Sequence, residues 1–354
     1  MQKPMTYKVA IVGAGENARD HARACINVDE TKLVAICDIS EQALRKFGDE
    51  FEVSHRYLHL DEMLSKECLD IVIISTWGVH HAEISNKIAH SGKVRAILVE
   101  KPISATALEC KEMIAAASEN NVLLTEGFKM RHTPQYLRLK EIIDSDRIGQ
   151  VTSLQSIYSS PLVRFASTKN WRYDRDKGGG SVYDTSGYLI HLARLAFGSE
   201  PHRVFAVGSF CEKLADVELS ASILLQFPGN RAATLTSSYQ YGYCQATEIL
   251  GTRGWIRMDL PYDQRSEREK EFVEKEDLSA SIEVFMDNFD RKVYQFPSIN
   301  QFDLQIRYLC ECLEKKSPHR IPPEFSLGNM LVIDAILKSI KTGQPVDVAD
   351  LATF

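Results

Sequence analysis

The sequence has no apolar stretch approaching the roughly 20 residues that a bilayer-spanning helix needs. Its opening, MQKPMTYKVA, lacks the apolar core of a secretory signal. An excess of positive charge is missing too: 42 Lys and Arg stand against 48 Asp and Glu, a net charge of −6. With a pI near 6.0, that balance argues against nucleic acid as the main partner, because phosphate binding needs clustered cations. No disulfide framework or metal-ligand spacing is visible. The eight cysteines are scattered, and the one close pair, Cys310 and Cys312, would point different ways on a helix with no His nearby. Reduced thiols, a soluble cytoplasmic protein and no bound metal are therefore expected. There are no internal repeats and no low-complexity segments.

What is present is an ordinary globular composition, 44% hydrophobic and 25% charged over 354 residues. That length exceeds what one core usually serves, so two domains are expected. Residues 7 to 127 alternate short apolar runs (YKVAIVG, KLVAICD, LDIVIIST, RAILVE, VLLTEGF) with helical patterns such as NARDHARACINV and ALECKEMIAAASENN. Runs apolar on both faces and separated by helices predict a doubly wound parallel sheet. After about residue 130 the pattern changes. A helix over TPQYLRLKEIIDSDRIG is followed by β-rich stretches, with Phe227-Pro228-Gly229-Asn230-Arg231 as a hairpin turn between two of them. An antiparallel sheet is expected there, and two helical patterns close the chain, the last stopping at Gly343. The expected domains are residues 1–128, a Rossmann-type nucleotide domain, and residues 129–354, an open antiparallel sheet with flanking helices.

In VAIVGAGENARD, Gly13-x-Gly15-x-x-Ala18 follows the first strand and opens a helix. Gly13 permits the tight turn, Gly15 lets backbone approach a pyrophosphate, and Ala18 lets the helix pack close to the sheet. The unpaired N–H groups of the helix start favour that anion, with Glu16 and Asn17 beside it. Asp38 ends the second strand 20 residues beyond Ala18, followed by Ile39. A carboxylate there accepts ribose hydroxyls and repels a 2′-phosphate, so NAD is expected over NADP. The third strand ends on Ser75-Thr76-Trp77 and leads to His81, a further lining candidate. The fourth ends on Glu100-Lys101-Pro102, where proline restricts the lysine to extended backbone.

In the second half, Gly178 to Gly180 precede a helix carrying Asp184, Tyr188 and His191 at spacings of four and three, which places them on one helical face. An acid, a phenol and an imidazole on one stripe read as a site. A phenol with a pKa near 10 is a weak base at neutral pH, and a neighbouring ammonium favours its phenolate. If the sheet edge of the first domain meets this stripe, Lys101 supplies that ammonium.

These residues resemble the glucose-fructose oxidoreductase / inositol dehydrogenase / rhizopine-catabolism (Gfo/Idh/MocA) family. The likeness runs through the glycine turn, Asp38, EKP, EGFKMRHTP, GGGSVYD, ILGTRGWIRM and AILKSIKTGQPVDV. It implies hydride transfer between nicotinamide and a secondary alcohol carbon of a sugar, polyol or derivative. It also implies a homodimer or homotetramer built on the open sheet face. Lys101 is then the active-site lysine, with Arg131, Trp171 and Arg172 approaching substrate. Many members carry His where this chain has Tyr188, Asp where it has His191 and Gly where it has Ser186. The tyrosine resembles the branch containing glucose-fructose oxidoreductase and some sugar ketoreductases, in which tyrosine moves the proton. Trp77 replaces the usual proline. On the same scaffold, a lyase or glycosidase that retains NAD, or a nucleotide-sensing regulator without turnover, is the alternative. The basic run over residues 164 to 177 fits either a charged sugar or a solvated loop.

Overall fold

The computed structural model describes residues 6–167, 169–211, 214, 216–262, 280–287 and 289–352. Fifteen strands are described: β1 Tyr7–Val12, β2 Thr31–Cys37, β3 His55–Tyr57, β4 Ile71–Ile74, β5 Ala96–Val99, β6 Leu123–Glu126, β7 Val151–Ser159, β8 Arg203–Phe210, β9 Glu218–Phe227, β10 Arg231–Ser238, β11 Cys244–Gly251, β12 Gly254–Asp259, β13 Ala280–Met286, β14 Arg291–Phe296 and β15 Val346–Asp347. The α-helices are α1 Glu16–Asn27, α2 Glu41–Glu50, α3 Leu60–Lys66, α4 His81–His90, α5 Ala107–Glu119, α6 Pro134–Asp144, α7 Leu162–Phe165, α8 Gly187–Phe197, α9 Gln301–Lys315, α10 Pro323–Thr342 and α11 Ala349–Ala352. None of the described helices is long and apolar enough to cross a membrane.

The chain divides into two compact units. The first holds the described residues up to Lys129 together with Gln301–Met330. The second holds Met130–Asn300 and the described residues from Leu331 onward.

In the first unit, six parallel strands lie in the order β3-β2-β1-β4-β5-β6. The order reverses beside β1, which creates the crevice where doubly wound sheets take their ligands. The strands β4 and β5 are apolar throughout, and β1 from Val9 onward, because helices cover both faces, and Val9, Ile11, Ile71, Ile73, Ile97 and Leu98 are fully buried. The short β3 was invisible in the sequence, since three residues carry no periodicity. The expected boundary at residue 128 misses the return of α9 to this unit. There Phe302, Ile306, Leu309, Cys310 and Leu313 join the same core as Ala18, Ala22 and Cys25 of α1. An amphipathic pattern tells that a helix buries one face, not which neighbour it buries it against.

The second unit is built on a nine-stranded sheet in the order β14-β13-β12-β11-β7-β10-β9-β8-β15. It is mixed, not antiparallel as expected, because β7 and β10 pair in parallel, Ala232 opposite Ser153 through Ser238 opposite Ser159. Parallel neighbours need a long crossover, and residues 160–230, which include α8, β8 and β9, supply it. The hairpin at Pro228–Asn230 joins β9 to β10 as the turn residues predict. Outward positions leave Phe205, Val207 and Ile157 partly or largely exposed.

Candidate functional site

The first unit gathers its candidate residues at the carboxyl ends of its strands. Gly13 has φ +98°, and a Cβ there would lie 2.5 Å from the Ser75 carbonyl oxygen, so no other residue fits. Its N–H donates to the Cys37 carbonyl at 2.8 Å. The next N–H, of Ala14, donates to Asp38 Oδ2 at 2.7 Å, and Ser40 N–H donates to Oδ1 at 2.8 Å. Asp38 therefore fastens the glycine turn and is itself fixed at the tip of β2. Space around Gly15 is open, with no atom within 4 Å of the position a Cβ would take. As the N-cap of α1 it offers no side chain to the first turn, and a helix start of that kind suits an anion. Ala18 is fully buried against the sheet. Ser75 Oγ is buried without a protein partner among the described residues, while Ile39 and Trp77 are exposed. These features fit a dinucleotide: an open glycine backbone, an uncapped helix start and a fixed carboxylate beside them.

The Glu100-Lys101-Pro102 segment is clamped from several sides. Glu100, 6% exposed, lies with Oε1 2.7 Å from His21 Nε2 and accepts from Asn17 Nδ2 at 3.3 Å. Burial pushes the Glu100 pKa up, but the hydrogen bond and charge of His21, then the Lys129 and Lys101 charges, outweigh it and hold the group below the usual carboxylate value. Glu100 is thus ionised and His21 Nε2 is the donor. The Lys101–Pro102 peptide is cis. The ring of His81 is buried, with Nδ1 2.8 Å from the Pro102 carbonyl oxygen and Nε2 3.2 Å from that of Thr76. Burial lowers its pKa, so the ring is neutral, and the shorter contact places its hydrogen on Nδ1. Ile103 N–H then donates to Glu126 Oε1 at 3.0 Å. Thus His81 acts on Lys101's neighbour, and Asn17 ties α1 to Glu100.

In the second unit, the expected stripe is not one α-helical face. Val182–Ser186 form a π-helical turn and α8 begins only at Gly187, so Asp184 belongs to a wider turn than Tyr188 and His191. Arg172 Nε donates to Asp184 Oδ2 at 2.8 Å, and the Tyr239 hydroxyl donates to the same oxygen at 3.0 Å. The Arg172 guanidinium also stacks 4.6 Å from the Trp171 ring centre. Tyr188, 5% exposed, lies with its ring 5.6 Å from Tyr158 and 5.9 Å from Tyr262. Tyr262 is in turn held through its hydroxyl by Ser156 and Thr247. His191 Nε2 lies 2.7 Å from Arg131 Nη1. Burial, then the charges of Arg131, Arg194 and His132, lowers the His191 pKa well below its ordinary value. The neutral ring therefore accepts from Arg131 and orients it.

Sequence reasoning missed His21, Glu126, Tyr158, Tyr239 and Tyr262. Only His21 carried a signal: it interrupts the buried small-residue face of Ala18, Ala22 and Cys25 at helical spacing.

Residues 7–128 match the model of the oxidoreductase family with an NAD-binding Rossmann fold, and residues 136–257 match the GFO/IDH/MocA C-terminal domain. The chain is 28% identical to an uncharacterized oxidoreductase, ORF334, of Rhizobium meliloti, over 90% of this chain and 92% of that protein. It is 27% identical to an inositol 2-dehydrogenase of Rhizobium meliloti strain 1021, over 71% and 75%. Its fold is similar to that of an aldose-aldose oxidoreductase of Caulobacter crescentus solved with glycerol, at TM-score 0.84 and 23% identity over 97% and 99% of the two chains.

Proposed function

The chain belongs to the Gfo/Idh/MocA oxidoreductase family, and on that premise we propose that it transfers hydride between NAD and a secondary alcohol or ketone carbon of a sugar, polyol or sugar derivative. The observation that carries the reading is the Lys101 segment. Its neighbours are held by His81 at Pro102 and by Glu126 at Ile103, on the same sheet as a glycine turn left open at Gly15. A solvated loop would need no such clamping.

In this reading the glycine turn and the start of α1 bind the pyrophosphate, and Asp38 accepts the ribose hydroxyls. The preference for NAD rests on that carboxylate, since a 2′-phosphate beside it would place two anions together. Bound nicotinamide supplies the hydride acceptor or donor. Tyr188 takes or returns the proton of the reacting hydroxyl, and the Lys101 ammonium favours its phenolate form. Arg131, oriented by His191, and Arg172, neutralised by Asp184, bind neighbouring oxygens of the substrate. Inositol 2-dehydrogenase among the relatives supports a polyol or sugar as the substrate class. The outward face of the second unit's sheet, with Phe205 and Val207, is the proposed contact between copies of the chain, and the cytoplasm is the proposed compartment.

The test is a screen of polyols, sugars, sugar phosphates and nucleotide sugars with NAD and with NADP, read as appearance or loss of reduced nicotinamide absorbance. Turnover of none in either direction, by protein that binds NADH, would overturn the proposal.

A further inference from the structure

The glycine run Gly178 to Gly180 stands directly before the turn carrying Asp184, and hydride chemistry gives it no task. Its surroundings do. The π-helical turn has no side-chain cap of its own from Ser181. Instead Val182 N–H donates at 2.8 Å to Oε1 of Glu218, the first residue of β9. Free N–H groups at a helix start favour a carboxylate, and here it arrives from a different part of the chain. Gly180, at φ +108°, passes so close to this carboxylate that a Cβ would lie 2.5 Å from the same Oε1. Gly179 is pressed against the Arg172 and Asp174 carbonyl oxygens, each 2.7 Å from where its Cβ would be. The run is glycine because backbone must fit between a strand's carboxylate and the Trp171–Tyr173 turn.

We propose that Glu218 is a positioning residue: its carboxylate fixes the glycine run and the turn bearing Asp184, and through them sets the start of the helix that carries Tyr188. The groups facing it define what it feels. Arg175 contributes the nearby positive charge. From the end of β10, the Tyr239 hydroxyl lies 3.0 Å from both the Gly180 carbonyl and Asp184 Oδ2, its one hydrogen shared between them. Arg172 and Asp184 form the adjacent ion pair. Glu218 is 5% exposed. Burial raises its pKa to about 7, against the lowering effect of the Val182 N–H, its own N–H and Arg175. It therefore changes charge in the neutral range. Raised in the fold, it favours the protonated form, and its contribution to stability falls as pH climbs from the ordinary value of 4.5 to about 7.

The consequence for catalysis rests on the function proposed for Tyr188 and Asp184, but the positioning itself is testable without turnover. The protein is labelled with 5-fluorotryptophan, and the fluorine resonance of Trp171, assigned by its loss in Trp171→Phe, is followed from pH 5.5 to 8.5 (a window set by the value of about 7). Trp171 stacks on Arg172, so its resonance reports on the Arg172–Asp184 pair. The wild-type resonance is expected to move with a midpoint near 7. Glu218→Gln retains an acceptor for Val182 N–H and should hold the resonance near one wild-type limit at every pH. Glu218→Ala should displace it throughout and speed hydrogen exchange of the peptide over residues 181–192 by roughly tenfold or more. A wild-type resonance that does not move, or a titration that persists in Glu218→Gln, overturns the proposal even if Glu218→Ala does not fold. Sugar turnover in the screen above is a separate readout, so failure of either reading is distinguishable.

Discussion

Glu100 Oε1 and His21 Nε2 are 2.7 Å apart inside the first unit, which joins the helix that follows the glycine turn to the strand end that presents Lys101. Removing His21 leaves a buried carboxylate without its closest donor. His21→Ala should cost about 1–3 kcal/mol of unfolding free energy, measured by urea titration. The pH dependence has a definite sign. The folded Glu100 pKa lies below 4.5, so its stabilising contribution is present above that value and lost as pH falls through the folded one. Wild type should therefore lose stability below about pH 4.5 more steeply than His21→Ala. Equal slopes would remove His21 from the account of Glu100.

Asp38 has two separable tasks, one toward the Ala14 and Ser40 N–H groups and one toward the cofactor. Asp38→Asn keeps one of the two acceptor oxygens that hold the Ala14 and Ser40 N–H groups and loses the charge. The ratio of NADPH to NADH affinity should rise about 30-fold, the equivalent of roughly 2 kcal/mol of relieved repulsion. Fluorescence titration of each reduced nucleotide measures it. An unchanged ratio would place selectivity elsewhere.

Lys101→Ala and Tyr188→Phe should each lower turnover by roughly a hundredfold or more, once the screen has supplied a substrate. Cofactor affinity should change by less than about threefold, because in the proposed reading Asp38 and the glycine turn carry most of the nucleotide binding and Lys101 lines the cofactor only at its reacting end. Near-normal turnover in both variants would refute their assigned roles.

Val207, 58% exposed on β8, probes the proposed contact between copies. Sedimentation of Val207→Asp should show a smaller species than wild type, because an uncompensated buried charge opposes association. The thermal midpoint of each unit should change little if the residue faces outward as described. Identical sedimentation would argue against this face.

The glycine turn, Asp38, the strand ends and the EKP segment were legible because their chemistry is local: a tight turn, a close backbone approach and a proline act within a few residues. The first unit's five longer strands were readable for a related reason. Burial on both faces leaves continuous apolar runs, whereas β3, three residues long, leaves nothing to count. The expected stripe of Asp184, Tyr188 and His191 did not carry over as a geometry. A uniform helical period does not anticipate a π-helical turn, and that turn gives Asp184 to Arg172 while His191 goes to Arg131.

The sequence by itself determined which residues the strand ends present and that two kinds of sheet follow one another. Helical and strand periods are properties of neighbours along the chain. Only the tertiary structure decided that α9 returns to the first unit, that β7 pairs in parallel with β10, and that Glu218 meets the glycine run. Those contacts join residues far apart in sequence, and their energy comes from burial and hydrogen bonds that exist only once the chain has closed on itself.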